Sequence, residues 1–317
     1  MKLGALGAMR PDVDGRRHPS KGPSEEVDEG RWREASFRVL SYYFELRWNH
    51  EAMGRQAHRV LRRFEVADDY GEALNAPIPG FPRRYSLVHR EDEKPTYALL
   101  LGDKELTASE LAGVVLEHLF WHVNTQALRT TGDFFLIHSG AVTTPAGAGL
   151  LLPGSPGAGK TTLVTALVQA GFGYLSDEAA AIDPVSRLVY AYPRPLALKS
   201  PPDRLFPELR SLSTQPDLAW GTWHLDPDDI RPGCVSGPAE IRFVVLPRYE
   251  QGQPTEITPV GAAEIAVELG RNSLGLARYR GRALPLLADV ARSAAAHRLV
   301  FGRLDEAVAA IADLTAV

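Results

Sequence analysis

From residue 36 to residue 104 the apolar positions come in short bursts rather than in long periodic runs. SFRVLSYYFELRW (36–48) crowds aromatic and β-branched side chains together and suits a strand. RRYSLVHR and TYALLLG read as two further strands separated by the charged turn EDEKP. EAMGRQAHRVLRRFEV, between the first and second of these, fits either a short helix or an extended segment. The rhythm changes at 107–129, TASELAGVVLEHLFWHVNTQALR, where Leu111, Val114, Val115, Leu119 and Val123 fall on one helical face. Thr107 and Glu110 have capping-box spacing and predict where that helix begins.

Beyond residue 130 strand and helix patterns alternate. DFFLIHSGAV and GLLLP are strands joined by the turn TTPAGA, followed by a helix over 160–170 and the short strand FGYLS. RLVYAYPRPLALK is extended but broken by prolines, which places it at an edge or between loops. EIRFVVLPRY, TEITPV and HRLVFG predict strands, and helices are expected near 262–274, 283–296 and 304–316. Such alternation predicts an α/β fold. Residues 1–35, rich in Gly, Pro, Arg, Glu and Asp without periodic apolar positions, predict a disordered tail. The expected organisation is that tail, a smaller β-rich α+β region over 36–104 with no assigned role, and a larger domain over 105–317.

Composition narrows the function classes. Among 317 residues, 44% are hydrophobic and 23% charged, which is ordinary for a globular chain. A net charge of −4 gives no reason to expect nucleic acid or an anionic membrane as partner. No apolar run approaches the roughly 18 residues of a membrane span, and MKLGALGAMRPDVDGRRHPSKG lacks the apolar stretch of a signal peptide. The single cysteine, Cys234, excludes an intrachain disulfide and a cysteine-based zinc cluster. A cytoplasmic protein is the expectation.

The chemistry concentrates in 154–178. Gly154, Ser155, Pro156, Gly157, Ala158, Gly159, Lys160 and Thr161 match G-x-x-x-x-G-K-[ST] in full, with Thr162 continuing into the helix. Glycines let successive backbone N–H groups converge on one anion. The helix beginning at Lys160 adds the partial positive charge of its N-terminus. Lys160 would reach the β- and γ-phosphates of ATP, and the Thr161 hydroxyl would ligate Mg²⁺. An apolar strand entering and an amphipathic helix leaving supply the context that the motif requires.

Asp177 and Glu178 close the next strand, at the end where open α/β sheets bind ligands. They could serve an ATPase that activates water, or a transferase whose acceptor is a hydroxyl. Their position so soon after the loop, and the absence of an LSGGQ signature, favour the transferase.

FLIHSGAV, GLLLPGSPGAGKTTL and AGFGYLSDEAA together resemble the catalytic core of HPr kinase/phosphorylase and its relatives. That resemblance covers roughly 132–200 and weakens through EIRFVVLPRY and the C-terminal segment. It implies the fold shared with phosphoenolpyruvate carboxykinase, and makes 105–317 an HPr-kinase-like catalytic domain. Carried over, Asp177 would be the general base, with Thr161, Glu178 and Asp177 around Mg²⁺, and His138 lining the same pocket. Family members often form oligomers, so a homo-oligomer is within what the resemblance implies. HPr kinase has two aspartates where this chain has Asp177 and Glu178, and its EIRG signature is not found; EIRF at 240–243 lies on a strand. These departures point to a stand-alone relative rather than to HPr as substrate.

Other residues are candidates of lesser weight. Arg194 and Lys199, in YPRPLALK, are either additional cations for the moving phosphoryl group or surface charge. LAWGTWHLDPDD (218–229) is either a substrate lid or a packed segment, and RYRGR (278–282) either a solvated face or an anion contact. His118 and His122 share a helical face but lack the glutamate and cysteines of the common zinc sites, so packing is expected of them and no zinc. Three functions follow: an ATP- and Mg²⁺-dependent kinase of a seryl residue in a peptide or protein, the same chemistry on a free small alcohol or amino acid such as serine, or a nucleotide-binding regulatory protein that transfers nothing.

Overall fold

The computed structural model describes residues 32–66, 83–91, 94, 96–199, 202–212 and 223–316. In its first third the apolar bursts become a five-stranded sheet. β1 (Arg33–Val39) and β2 (Tyr42–Trp48) form an antiparallel hairpin with Val39 opposite Tyr42. Leu40 turns that corner at a φ of 55°. No glycine or asparagine marks the turn, which is why 36–48 reads as one strand in the sequence. α1 (Glu51–Leu61) follows, capped by the His50 ring nitrogen, which accepts from the Met53 N–H. β3 (Arg84–Arg90), β4 (Thr96–Leu101) and β5 (Lys104–Ser109) complete the order β1-β2-β3-β4-β5. α2 (Ala112–Thr130) lays Val115, Leu116, Leu119, Val123 and Ala127 against Phe37, Phe44, Leu46 and Tyr85.

Three expectations change here. Thr107 caps no helix; it lies in β5 opposite Leu99. Pairing with β4 extends the chain through Ser109 and overrides the capping-box spacing, so α2 starts at Ala112 without a side-chain cap. The boundary at 104/105 therefore cuts a hairpin: β5 and α2 pack with the first sheet, inside one compact unit, Arg33–Val317. The tail expected over 1–35 ends earlier, because Arg33, Glu34 and Ala35 pair with Trp48, Arg47 and Leu46; residues 1–31 lie outside the described residues.

The second sheet is built from β6 (Phe135–Thr143), β7 (Gly149–Pro153), β8 (Gly173–Ser176), β9 (Ala179–Ile182), β10 (Leu188–Tyr190), β13 (Ala239–Tyr249), β14 (Glu256–Pro259), β15 (Ser273–Leu274) and β16 (Ala295–Phe301). Its main order is β10-β9-β6-β7-β13-β16-β14, with β8 and β15 also paired to β6. β7, β13 and β16 are parallel, whereas β6 runs antiparallel to β7, β8, β9 and β15. α3 (Lys160–Gln169) and α6 (Leu304–Thr315) cover one face; α4 (Ala262–Arg271) and α5 (Ala283–Ser293) cover the other. Leu150 and Leu152 accordingly face the first core and Leu151 the second, which explains the unbroken apolar run GLLLP. The protein is thus mixed α/β, and among the described residues no helix is long and apolar enough to cross a membrane.

A short antiparallel ladder of β11 (Leu196–Leu198) and β12 (Trp223–Leu225) lies over α3. Its end is tied to the first layer by Asp226, buried, which accepts from Arg62 Nε at 3.0 Å and Arg63 Nε at 3.1 Å. Of the segment 218–229, expected to be either a lid or a packed segment, residues 218–222 lie outside the described residues, and Trp223 and Leu225 pack into the core.

Gly173, at the start of β8, has no room for a side chain. A Cβ there would stand 1.8 Å from Ser236 Oγ and 2.2 Å from Thr143 Oγ1, which share a 2.7 Å hydrogen bond. Gly173→Ala is expected to lower unfolding free energy by about 1–3 kcal/mol, read as a reduced denaturation midpoint. An unchanged midpoint would show that Ser236 swings away freely.

Candidate active site

The register of β6 assembles the site. Ser139 of β6 pairs with Pro153, the residue before the glycine-rich loop, while His138 pairs with Ala179, the residue after Glu178. β8 and β9 both lie along β6, with Asp177 and Glu178 in the interruption between them, and Ser139 N–H donates to the Glu178 carbonyl at 3.3 Å. One strand thus brings the loop, the histidine and the carboxylates together.

Within the loop, Gly157 and Gly159 have φ of 91° and 87°, which L side chains rarely adopt. Ser155 and Pro156 are exposed, Gly154 and Ala158 half-buried. The first turn of α3, with Lys160, Thr161 and Thr162, has no side-chain cap and no acidic residue. Its leading N–H groups therefore keep the positive end of the helix open to an anion.

Lys160 is buried, and its ammonium donates to the Gly154 carbonyl at 2.7 Å, the Ser155 carbonyl at 3.1 Å and His138 Nε2 at 3.1 Å. His138 Nδ1 lies 2.9 Å from the Glu178 carbonyl oxygen. A carbonyl only accepts, so Nδ1 carries the proton and Nε2 offers its lone pair to Lys160. Burial, then the Lys160 charge, hold the imidazole below its usual pKa. Burial also lowers the Lys160 pKa, against the opposing influence of Glu178 and Asp177.

The two carboxylates differ. Asp177 is buried with both oxygens engaged: Oδ2 accepts from the Thr161 hydroxyl at 3.1 Å, and Oδ1 lies 3.3 Å from both Arg194 Nε and the Tyr174 hydroxyl. Glu178 retains 27% of its side-chain exposure and faces Arg194 Nη2 at 3.5 Å. Burial alone would lower the Arg194 pKa, but Asp177 and Glu178 outweigh it and hold it above the usual arginine range.

No family model matches the chain, and no curated protein matches it either.

Of the residues singled out from the sequence, Asp177, Glu178, Lys160, Thr161, His138 and Arg194 are joined by direct contacts, with Gly154, Ser155, Pro156, Gly157, Ala158, Gly159 and Thr162 forming the surrounding loop and helix start. Lys199 is the exception: it is exposed beyond β11 and reaches none of these groups among the described residues. β11 pairs with β12 only as far as Leu198, opposite Trp223, and Lys199 follows that last pair. Tyr174 belongs to the cluster as well, although no motif in the sequence marks it. Its hydroxyl also lies 2.9 Å from the Arg194 carbonyl, so this buried ring holds the backbone of Arg194 beside Asp177. Its position three residues before Asp177 in FGYLSD was the available signal. His122 shares a 2.7 Å hydrogen bond with Tyr85 in the first layer, remote from this cluster.

Hard oxygen donors suit Mg²⁺, which is commonly held by one or two carboxylates together with substrate phosphates. Thr161, Asp177 and Glu178 provide such oxygens beside the open helix end. The arrangement combines an anion cradle, a buried lysine and a carboxylate pair, the parts needed for phosphoryl transfer.

Proposed function

We propose that this protein is an ATP- and Mg²⁺-dependent kinase of the HPr-kinase-like type, with the fold shared with phosphoenolpyruvate carboxykinase, phosphorylating a hydroxyl. A seryl residue of a peptide or protein is the first acceptor to test. The observation that carries this reading is the 3.1 Å hydrogen bond from Thr161, on the first turn of α3, to Asp177 at the end of β8. It brings the carboxylate pair to the end of the helix where a phosphate chain would lie.

Lys160 and the α3 N-terminus would bind the phosphates; Thr161 and Glu178, with Asp177 beside them, would hold Mg²⁺. When bound, the metal supplies charge neutralisation on the phosphate oxygens. With the Thr161 hydroxyl on one lone pair of Oδ2, Asp177 would take the acceptor proton at the second lone pair of that oxygen. Arg194 sits 3.3 Å from Asp177 and 3.5 Å from Glu178, so it can stabilise charge developing at the transferred group. His138 holds Lys160 in place through its unprotonated nitrogen until a nucleotide offers better acceptors.

The test is a mass-spectrometric search for phosphorylated product. Purified protein and Mg²⁺-ATP are incubated with free serine, other small alcohols and serine-containing peptides, alongside Asp177→Asn. A phosphate gained by one acceptor and lost in the variant supports the kinase. Tight ATP binding with no product from any acceptor replaces it with a nucleotide-binding regulatory protein.

A further inference from the structure

Along β13 alternate residues share the face that α3 and α6 cover: Phe243, Val245, Pro247 and Tyr249, beside Leu299 and Phe301 of β16. Val245 and Pro247 are buried, but Tyr249, the last of the row, is 50% exposed. The row outruns its covering helix. A Cβ built on Gly159, the residue before α3, would lie 3.5 Å from Tyr249 Cβ and 3.4 Å from Phe301 Cζ. Pro247 likewise lies against Gly154, 4.0 Å from a Cβ built there. Tyr249 thus stands beside the start of α3, where the sheet meets the glycine-rich loop. Buried Phe301 meets its ring in a T-shaped contact, with centroids 5.6 Å apart, and backs it from the core side.

A solitary exposed aromatic ring is ordinary on a protein surface. The sheet order gives this one its meaning. β7, β13 and β16 are parallel, so their carboxyl ends and the loop share one edge, the edge at which such sheets bind ligands. In the order β9-β6-β7-β13-β16, Asp177 and Glu178 lie on the β6 side of the loop and Tyr249 lies on the other. The loop therefore separates a carboxylate end from an aromatic end. A phosphate chain whose terminal group meets Asp177 and Arg194 extends away from them, across the loop and toward β13.

Resting on the nucleotide-binding part of the kinase reading, we infer that Tyr249 is the platform on which the base of the nucleotide stacks, with Phe301 as its backing. Stacking uses the flat π face of a base and is tolerant of which base supplies it. The loop N–H groups and Lys160 recognise only the phosphates, and those are shared by a nucleotide and inorganic tripolyphosphate. Tyr249 is the part of the site that tells the two apart.

The experiment is titration calorimetry of the full chain with two probes, ATP and inorganic tripolyphosphate, each with Mg²⁺. Tyr249→Ala is expected to weaken ATP about ten- to hundredfold, in the range for loss of one stacked base, and to leave tripolyphosphate within twofold. Tyr249→Phe, which keeps the ring, should hold ATP within about threefold, whereas Tyr249→Leu, apolar but without a π face, should behave like the alanine variant. Photolabelling with 2-azido-ATP should mark the peptide that contains Tyr249, and excess ATP should prevent it. Unchanged ATP affinity in Tyr249→Ala, or a label placed elsewhere, overturns the inference and leaves the kinase reading standing. Equal weakening of both probes also overturns it, since Tyr249 would then support the loop rather than the base. The expected pattern of binding together with no product in the transfer assay keeps the platform and removes the kinase. Failure of both probes to bind removes the two together.

Discussion

On the proposed kinase reading, Asp177→Asn is expected to slow phosphoryl transfer about a thousandfold, in the range typical for removal of a general base, while ATP remains bound. The buried carboxylate has Thr161 on one oxygen and Arg194 and Tyr174 near the other. Asparagine keeps the shape but loses the charge, and with it the proposed proton acceptor and the counterion of Arg194. Arg194 would then rely on Glu178 at 3.5 Å, so a stability loss of about 3 kcal/mol accompanies the substitution, as when one member of a buried pair is removed. The double variant Asp177→Asn/Arg194→Met separates the effects. Removing both charges should recover much of the stability and none of the activity. Transfer in Asp177→Asn within tenfold of the unmodified protein would end the assignment of Asp177 as base.

Acidification is expected to destabilise the fold between pH 6.5 and about 4, and His224 should dominate the effect. Burial first, then Arg194, push its imidazole down to about 4. In the unfolded chain it titrates near 6.5. Within that window the unfolded state binds the additional proton, so stability falls as pH falls and levels off below the folded pKa. The full difference corresponds to about 3 kcal/mol. His138, lowered by burial and Lys160, acts with the same sign. Glu117 acts in the opposite direction, because burial raises its pKa and protonation relieves that cost. Urea denaturation at pH 7 and pH 4.5, for the unmodified protein and His224→Gln, measures the slope. A pH-independent midpoint, or the same slope in the variant, would mean that His224 is hydrated rather than buried.

Much of the fold can be read from local pattern. GLLLP, then six residues with three glycines, then KTTLVTALVQ gives strand, loop and helix without reference to the rest of the chain, because φ preferences and helix start are local properties. The fully apolar β7 likewise reveals burial on both faces. Signals failed where pairing competed with propensity. Thr107 looked like a cap, but an available edge on β4 drew 104–109 into a hairpin. Leu40 turned a corner for which no residue type gave warning.

By itself, the sequence determined the glycine-rich loop that leads into a helix, the carboxylate pair after the next strand, and the alternation that makes the protein mixed α/β. These depend on residue types a few positions apart. Tertiary structure alone decided that β6 runs antiparallel between loop and carboxylates, placing His138 on Lys160. It also brought Arg194 rather than Lys199 to Asp177, anchored Arg194 through Tyr174, and packed α2 of the first layer so that Glu117 meets His224, 107 positions further along the chain. Such meetings follow from strand register and from which surfaces bury together, and neither is encoded in the spacing of the residues that meet.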